Sequence, residues 1–348
     1  MEQFLKQGIK KGAFPGLVVL AGNEKENYIF KALGDAEIMP ETRSMTLETL
    51  FDLASLTKVM VTAPLTLFFI EKGYIRLEDS VSRFKTKFPH NQVTVRQLLN
   101  HTSGLPATGE LFRYPQDPLS YLWGLELENK PGKVVNYSCM GYILLGKIIE
   151  EIAKAGLDEL AAEIIFRPLG MEKTGFNPED GYFAATEVGN EFEQKKGAPP
   201  REGVMRGVVH DGNAYSLGGV SGNAGLFAPA EDVGKFARMI LRNDGQILSS
   251  SAMDLMFSRQ TPLGQDPRSM GWCLPGPYSS GGDLISESSI GHTGFTGTSL
   301  WIDLEKRLFI VLLTNRIHPR AENDAHIRLR PLIHNRIWAE MQKKGKEK

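Results

Sequence analysis

Apolar residues gather in strand-like runs at both ends of the chain. Residues 1–12 form a short amphipathic stretch, which predicts a helix stopped at Gly12. Gly16-Leu-Val-Val-Leu-Ala-Gly22 and Tyr28–Leu33 follow, separated by the polar turn Asn23–Glu26, and predict a pair of strands. Near the other end, Ser299-Leu-Trp-Ile-Asp303 and Leu308–Thr314 flank Glu305-Lys306-Arg307 and predict a second hairpin. A helix is predicted from about Arg320, kinked or broken at Pro331. Hairpins at both termini predict an α+β fold, with one antiparallel sheet built from both ends of the chain and flanked by helices.

Between the two ends the period changes. From about Leu77 to Glu179 apolar positions recur with helical spacing, as in Gly141–Ala153 and Leu157–Arg167. Leu105-Pro106, Pro131-Gly132 and Pro168-Leu-Gly170 punctuate this stretch as loops. The expected organisation is an α/β body of residues 1–76 and 205–348 with a mainly helical inserted region, 77–204. That insertion ends in a polar surface crossing loop at 190–204.

Composition narrows the function classes. The 348 residues can bury a full core without disulfide or metal staples. Forty basic against forty-one acidic side chains argue against nucleic acid or an anionic membrane as main partner. The basic run Lys343–Lys348 reads as a solvated tail. Cys139 and Cys273 are the two cysteines and lack metal-type Cys/His spacing, which removes zinc sites and disulfide scaffolds; no cofactor is expected. The longest uncharged stretch, Val59 to Ile70, is too short to span a bilayer, and residues 1–16 hold no signal-peptide core. As written the chain reads as cytoplasmic, and as periplasmic or extracellular if a leader was removed. Oligomeric state is not legible at this level.

The segment richest in chemistry is Phe51-Asp-Leu-Ala-Ser55-Leu-Thr-Lys58. If Ser55 opens a helix, Lys58 lies one turn on along the same face. The apolar run behind it should bury that helix, lowering the Lys58 pKa and supplying a neutral amine beside a hydroxyl. Backbone N–H groups at the helix start would face a developing oxyanion. The alternative is an N-cap serine with a lysine that snorkels to the surface. Ser82-Arg-Phe-Lys85 has the same spacing, in a charged setting that reads as a solvated turn. Two other segments stand out. Tyr137-Ser138-Cys139 lies between a Pro/Gly loop and a helix, and Gly291-His292-Thr293-Gly294-Phe295-Thr296-Gly297 is a strand edge bare enough for a ligand to lie against.

Ser55-Leu-Thr-Lys58, Tyr137-Ser-Cys139 and His292-Thr-Gly294 resemble, in order and spacing, the three motifs of penicillin-recognising serine enzymes. The spacing is most similar to class C β-lactamases, DD-peptidases of similar fold and β-lactamase-like esterases. Val95–Leu105, Pro168–Met171 and Ala224–Phe227 through Asp232 extend the resemblance from about Phe14 to Arg316. Val208–Gly225 further resembles a subgroup described as penicillin-binding-protein 4B-like, linked to D-Ala-D-Ala carboxypeptidase activity. The resemblance implies a β-lactamase/transpeptidase-like fold in which Ser55 is acylated, Lys58 takes its proton and Tyr137 passes a proton to the leaving group. It also implies an oxyanion hole made by the N–H groups of Ser55 and Phe295, with Cys139, His292, Thr293, Gly294 and Phe295 contacting a small ester or peptide substrate.

Two residues depart from the pattern. His292 stands where β-lactamases usually carry lysine, and is expected to offer a pH-dependent charge to a substrate carboxylate. Cys139 stands where asparagine is frequent, and is a weaker partner for a substrate amide. Both reduce the β-lactamase activity expected, and both keep open a non-catalytic penicillin-binding or sensing module. His210-Asp211 and His101 read as loop-fixing groups, since neither metal spacing nor a G-x-S-x-G elbow accompanies them. Leu217–Gly225 reads as a wall of the cleft. Trp272, Tyr278 and Trp301 read as core or as lining of an acyl pocket.

Overall fold

The computed structural model describes residues 1–277 and 279–344; Tyr278 and the tail residues 345–348 lie outside them. Nine strands are present among the described residues: β1 (Gly16–Gly22), β2 (Asn27–Glu37), β3 (Arg43–Ser44), β4 (Phe51–Asp52), β5 (Gly175–Phe176), β6 (Leu226–Ala228), β7 (Ser289–Thr293), β8 (Ser299–Asp303) and β9 (Leu308–Thr314). Six form an antiparallel sheet in the order β3-β2-β1-β9-β8-β7. The two predicted hairpins are β1-β2 and β8-β9, and they join where β1 pairs with β9, Leu17 opposite Thr314. The fold is α+β, with one sheet built from both ends of the chain.

Period-two alternation explains why β1 is apolar throughout. Leu17, Val19 and Ala21 face a cluster with Leu5 of the Glu2–Lys10 helix and Ile333, Ile337 and Trp338 of the Ala325–Lys344 helix. Val18 and Leu20 face the main core, with Phe236 and Ile240 of the Ala230–Arg242 helix. With both faces covered there is no polar-out side to display. The last helix begins at Ala325, later than the predicted Arg320, and runs unbroken through Pro331. Packing of Ile333, Ile337, Trp338 and Met341 on the sheet outweighs the one backbone bond the proline removes.

Helices of the middle region share the main core with the sheet: Leu98, Ile143 and Ile165 belong to the same cluster as Val18 and Val311. Residues 190–204 are more than a surface crossing. Glu191–Gln194 is a helical turn, and Asn190 and Glu193 are buried. A small second sheet, β4-β6-β5, has no counterpart in the predicted elements. Its two- and three-residue strands are too short for periodicity to register.

At Gly291, the first residue of the Gly-rich 291–297 segment, a second expectation is corrected. Gly291 pairs with Trp301, and a Cβ built on Gly291 would fall inside the indole, as would one on Gly281. The bare backbone there accommodates a fully buried tryptophan on the helix side of the sheet rather than a ligand. Trp272 is also fully buried. Gly291→Ala is expected to cost about 1–3 kcal/mol of stability through overpacking, read by urea denaturation; an unchanged midpoint would contradict this packing.

Candidate active site

Ser55 sits at a sharp bend between the small sheet and a buried helix. β4 pairs with β6, and the Leu53 N–H then donates to the Leu226 carbonyl at 2.9 Å. Ala54 adopts a left-handed conformation, φ 47°, uncommon for a residue with a Cβ. The Asp52 carboxylate accepts the Ala54 N–H at 2.8 Å, and the Thr57 hydroxyl donates to the Ala54 carbonyl at 2.7 Å. Helical bonding begins just past Ser55, and Lys58–Thr62 is a π-helical turn that continues into Ala63–Glu71. Such wide turns are frequent at functional sites.

The snorkelling alternative does not hold, because Lys58 is 0% exposed. Its Nζ donates to Ser55 Oγ at 2.9 Å, to the Asn223 carbonyl at 2.9 Å and to Cys139 Sγ at 3.5 Å. Three acceptors meet the three protons of an ammonium. The Asn223 carbonyl is held in place from Gly222, whose carbonyl accepts the Thr62 hydroxyl at 2.7 Å and whose Cα faces the Tyr142 carbonyl too closely for any side chain. The Leu217–Gly225 segment therefore does line the site.

Charge on Lys58 differs from the expectation. Burial does press the ammonium toward neutrality, but Cys139, Tyr137 and Asp211 pull the other way and hold it above its ordinary value. The Tyr137 hydroxyl is likewise pushed up by burial, against the pull of Lys58, whose Nζ lies 5.1 Å from the Tyr137 ring centre. The two groups form one coupled acid–base pair over the serine.

Tyr137 is placed by the residue after it. Ser138 caps the Cys139–Ala153 helix, its Oγ accepting the Gly141 N–H at 3.2 Å. The Ser138 N–H donates to His101 Nδ1 at 3.0 Å, and the His101 ring packs on Tyr137 with centroids 4.6 Å apart. Burial, with Arg268 and Lys58 nearby, holds His101 well below its usual range, so it acts as a neutral acceptor. His210 and Asp211 are also fixing groups. His210 Nε2 meets Glu187 Oε2 at 2.9 Å, and Asp211 caps the Gly212–Ser216 helix through the Ala214 N–H at 2.8 Å. Ser82 and Lys85 lie on an exposed turn.

At the third motif, Thr296 Oγ1 donates to the Asp52 carbonyl at 2.7 Å and Thr298 Oγ1 to that of Leu53 at 3.1 Å. Gly294 packs against Leu53 and Ala54, where a Cβ would collide with backbone. Phe295 is 37% exposed, stacked on His210, with its carbonyl accepting Arg316 Nε at 2.9 Å. The N–H groups of Ser55 and Phe295 donate to nothing among the described residues.

His292 does not provide the expected switchable charge. It is buried, its Nδ1 lies 2.9 Å from the Thr293 carbonyl, and burial with Arg268 and Lys58 pushes it well below its ordinary pKa. The permanent cation nearby is Arg268, whose guanidinium carbon lies 5.2 Å from the Tyr137 ring centre. Burial opposes its charge, but Cys273, Asp266 and Tyr137 more than compensate. Its Nε donates to Asp266 Oδ2 at 2.7 Å and its Nη1 to Cys273 Sγ at 3.3 Å. Sequence reasoning missed Arg268, which lies in an irregular loop with no fixed spacing to any motif.

Comparisons with known proteins identify the family. A family model described as Beta-lactamase matches residues 1–334. The chain is 32% identical over 361 residues to an Escherichia coli O157:H7 protein named "Putative D-alanyl-D-alanine carboxypeptidase", covering 91% of this chain and 82% of that one. It is 31% identical over 357 residues to the N-acetylmuramyl-L-alanine amidase of Bacillus subtilis (strain 168), covering 91% and 80%. The solved structure of EstCE1, a hydrolase with promiscuous acyltransferase activity, shares the fold with a TM-score of 0.74 at 21% identity, covering 94% of this chain and 96% of that one. Matched along nearly its whole length by the family model and along most of it by these relatives, the chain belongs to the beta-lactamase family of penicillin-recognising serine hydrolases.

Proposed function

We propose that the protein hydrolyses small esters or D-amino-acid peptides through an acyl-enzyme on Ser55, with at most weak β-lactam turnover. The observation that carries this reading is the Lys58 Nζ to Ser55 Oγ hydrogen bond of 2.9 Å at a site where Lys58 is otherwise fully enclosed. When the Lys58–Tyr137 pair is one proton short, it accepts the Ser55 proton as Oγ attacks the carbonyl. The N–H groups of Ser55 and Phe295 receive the charge that develops on the carbonyl oxygen. The pair returns the proton to the leaving alcohol or amine through Tyr137, and then activates water to release the acid.

Cys139 in place of an amide donor, and a neutral His292 in place of a cation, leave little to hold a β-lactam's amide and carboxylate in the usual way. Arg268 is the group suited to a substrate carboxylate, because its charge persists at all working pH values. The carboxypeptidase and amidase names of the two relatives favour substrates with an amide bond.

Ser55→Ala is expected to lower hydrolysis of p-nitrophenyl butyrate by at least about 10³-fold and to abolish the acyl adduct seen by intact-mass spectrometry. Equal rates in mutant and wild type would remove the nucleophile assignment.

Because both members of the pair are held above their ordinary values, the competent form grows as pH rises. Ester kcat/KM is expected to climb about tenfold per pH unit toward a plateau on the alkaline side. A flat profile from about pH 6 to 9, measured against the Ser55→Ala background, would contradict the pair as base.

Arg268→Gln is expected to raise KM for a D-Ala-D-Ala peptide by about tenfold or more, the loss of one charge-assisted contact, while KM for the neutral ester stays within about twofold. Parallel changes for both substrates would show that Arg268 supports the fold and not carboxylate binding.

A further inference from the structure

Asp52 is 2% exposed, and its carboxylate hydrogen-bonds no cationic side chain among the described residues. Two backbone groups bind it instead. Oδ1 accepts the Ala54 N–H at 2.8 Å and Oδ2 accepts the His210 N–H at 2.7 Å. The carbonyl of the same residue accepts Thr296 Oγ1 at 2.7 Å. Burial pushes the carboxyl up, and the two N–H bonds oppose that push.

Each of these bonds ends on a different wall of the site. Ala54 carries the left-handed bend, φ 47°, that sets the direction of the Ser55 N–H. The His210 ring lies against the Phe295 ring, centroids 5.5 Å apart and planes at 25°, and is steadied by Glu187. Thr296 is the residue after Phe295. The Asp52 side chain is therefore bonded to the bend before Ser55 and to the support beneath Phe295, and the main-chain carbonyl of the same residue to the turn that carries the Phe295 N–H.

We propose that Asp52 is a positioning residue for the oxyanion hole, holding the Ser55 and Phe295 N–H donors in register with each other. This rests on the acyl-enzyme reading above. The chemistry of the side chain fits the task. Two diverging backbone N–H groups need two oxygens that only accept, and among short side chains only an ionised aspartate offers both. An asparagine would turn an NH₂ toward one of the two donors. Fixing a single loop would not require a buried carboxylate, since one hydroxyl or amide oxygen could accept a single N–H.

The test compares wild type, Asp52→Asn, Asp52→Ala and Thr296→Val, with Ser55→Ala as control. The measurements are the number of sites titrated by a fluorophosphonate, kcat per titrated site and KM for p-nitrophenyl butyrate, the inhibition constant of phenylboronic acid, and the unfolding temperature. Phenylboronic acid forms a tetrahedral adduct on a serine and places an oxygen where the oxyanion develops.

Asp52→Asn is expected to lose about 10–100-fold in kcat per site and a similar factor in boronate affinity, with KM changed less than about threefold. Asp52→Ala should lose more. Thr296→Val removes only the hydroxyl bond and keeps the shape, so it should show a smaller loss, about 3–10-fold, in the same two quantities. It tests the main-chain contact of Asp52 with the Phe295 turn, and so keeps that part of the proposal falsifiable if the side-chain variants fail to fold. A purely structural role predicts something else: fewer titratable sites and a lower unfolding temperature, with kcat per site and boronate affinity unchanged. That result in Thr296→Val and in any folded Asp52 variant overturns the inference while leaving Ser55 as nucleophile. If wild type neither reacts with the fluorophosphonate nor binds the boronate, the acyl-enzyme reading itself fails and the inference falls with it.

Discussion

A lysine ammonium removed from water must be met by acceptors on every proton, and that requirement organises the centre of this protein. Lys58 ties Ser55, one turn back, to two distant pieces of chain: Asn223 on the Gly-rich loop and Cys139 at the head of a long buried helix. An unpaired buried charge costs several kcal/mol, so none of the three can move away independently. The geometry around the serine hydroxyl is therefore held by electrostatic necessity as much as by packing.

The sheet supplies the rigidity against which that centre is set. Its strands come from both ends of the chain and both faces are covered, so it has little freedom to shear. Threonines 296 and 298 tie its β7-β8 turn to the carbonyls of Asp52 and Leu53, the two residues that lead into the Ser55 bend. Arg316 holds the Phe295 carbonyl from the opposite side. The Ser55 bend and the Phe295 turn thus share one set of anchors.

Histidine plays a consistent part around this site. His101 and His292 are each buried and pushed well below the usual range, so they serve as fixed neutral hydrogen-bonding groups and not as switches. His210 is engaged with Glu187 and with the Asp52 carboxylate through its N–H. Charge at the cleft is carried instead by Lys58 and Arg268, both held above their ordinary values by acidic neighbours. Arg268 is the cation whose charge stays constant across working pH, and under the proposed mechanism proton transfer falls to the Lys58–Tyr137 pair.

The sequence by itself determined the strands at both ends, because a strand buried on both faces leaves an uninterrupted apolar run such as Gly16–Gly22 or Leu308–Thr314. It also singled out Ser55 and Lys58, because an apolar helix stands behind that pair, and Tyr137 through the resemblance carried by the three motifs together. Only the tertiary structure decided the direction in which Lys58 and His292 are shifted, since each depends on its burial and on which distant groups arrive beside it: burial opposed by Cys139 and Tyr137 for the lysine, burial reinforced by Arg268 for the histidine. It alone showed that Gly291 makes room for Trp301, a contact between facing strands on the helix side of the sheet. The small β4-β6-β5 sheet and the place of Arg268 were hidden for the same reason. Pairings between segments of two or three residues, and a loop cation far in sequence from the motifs, leave no periodic or spacing signal, and are created only when long-range contacts bring the segments together.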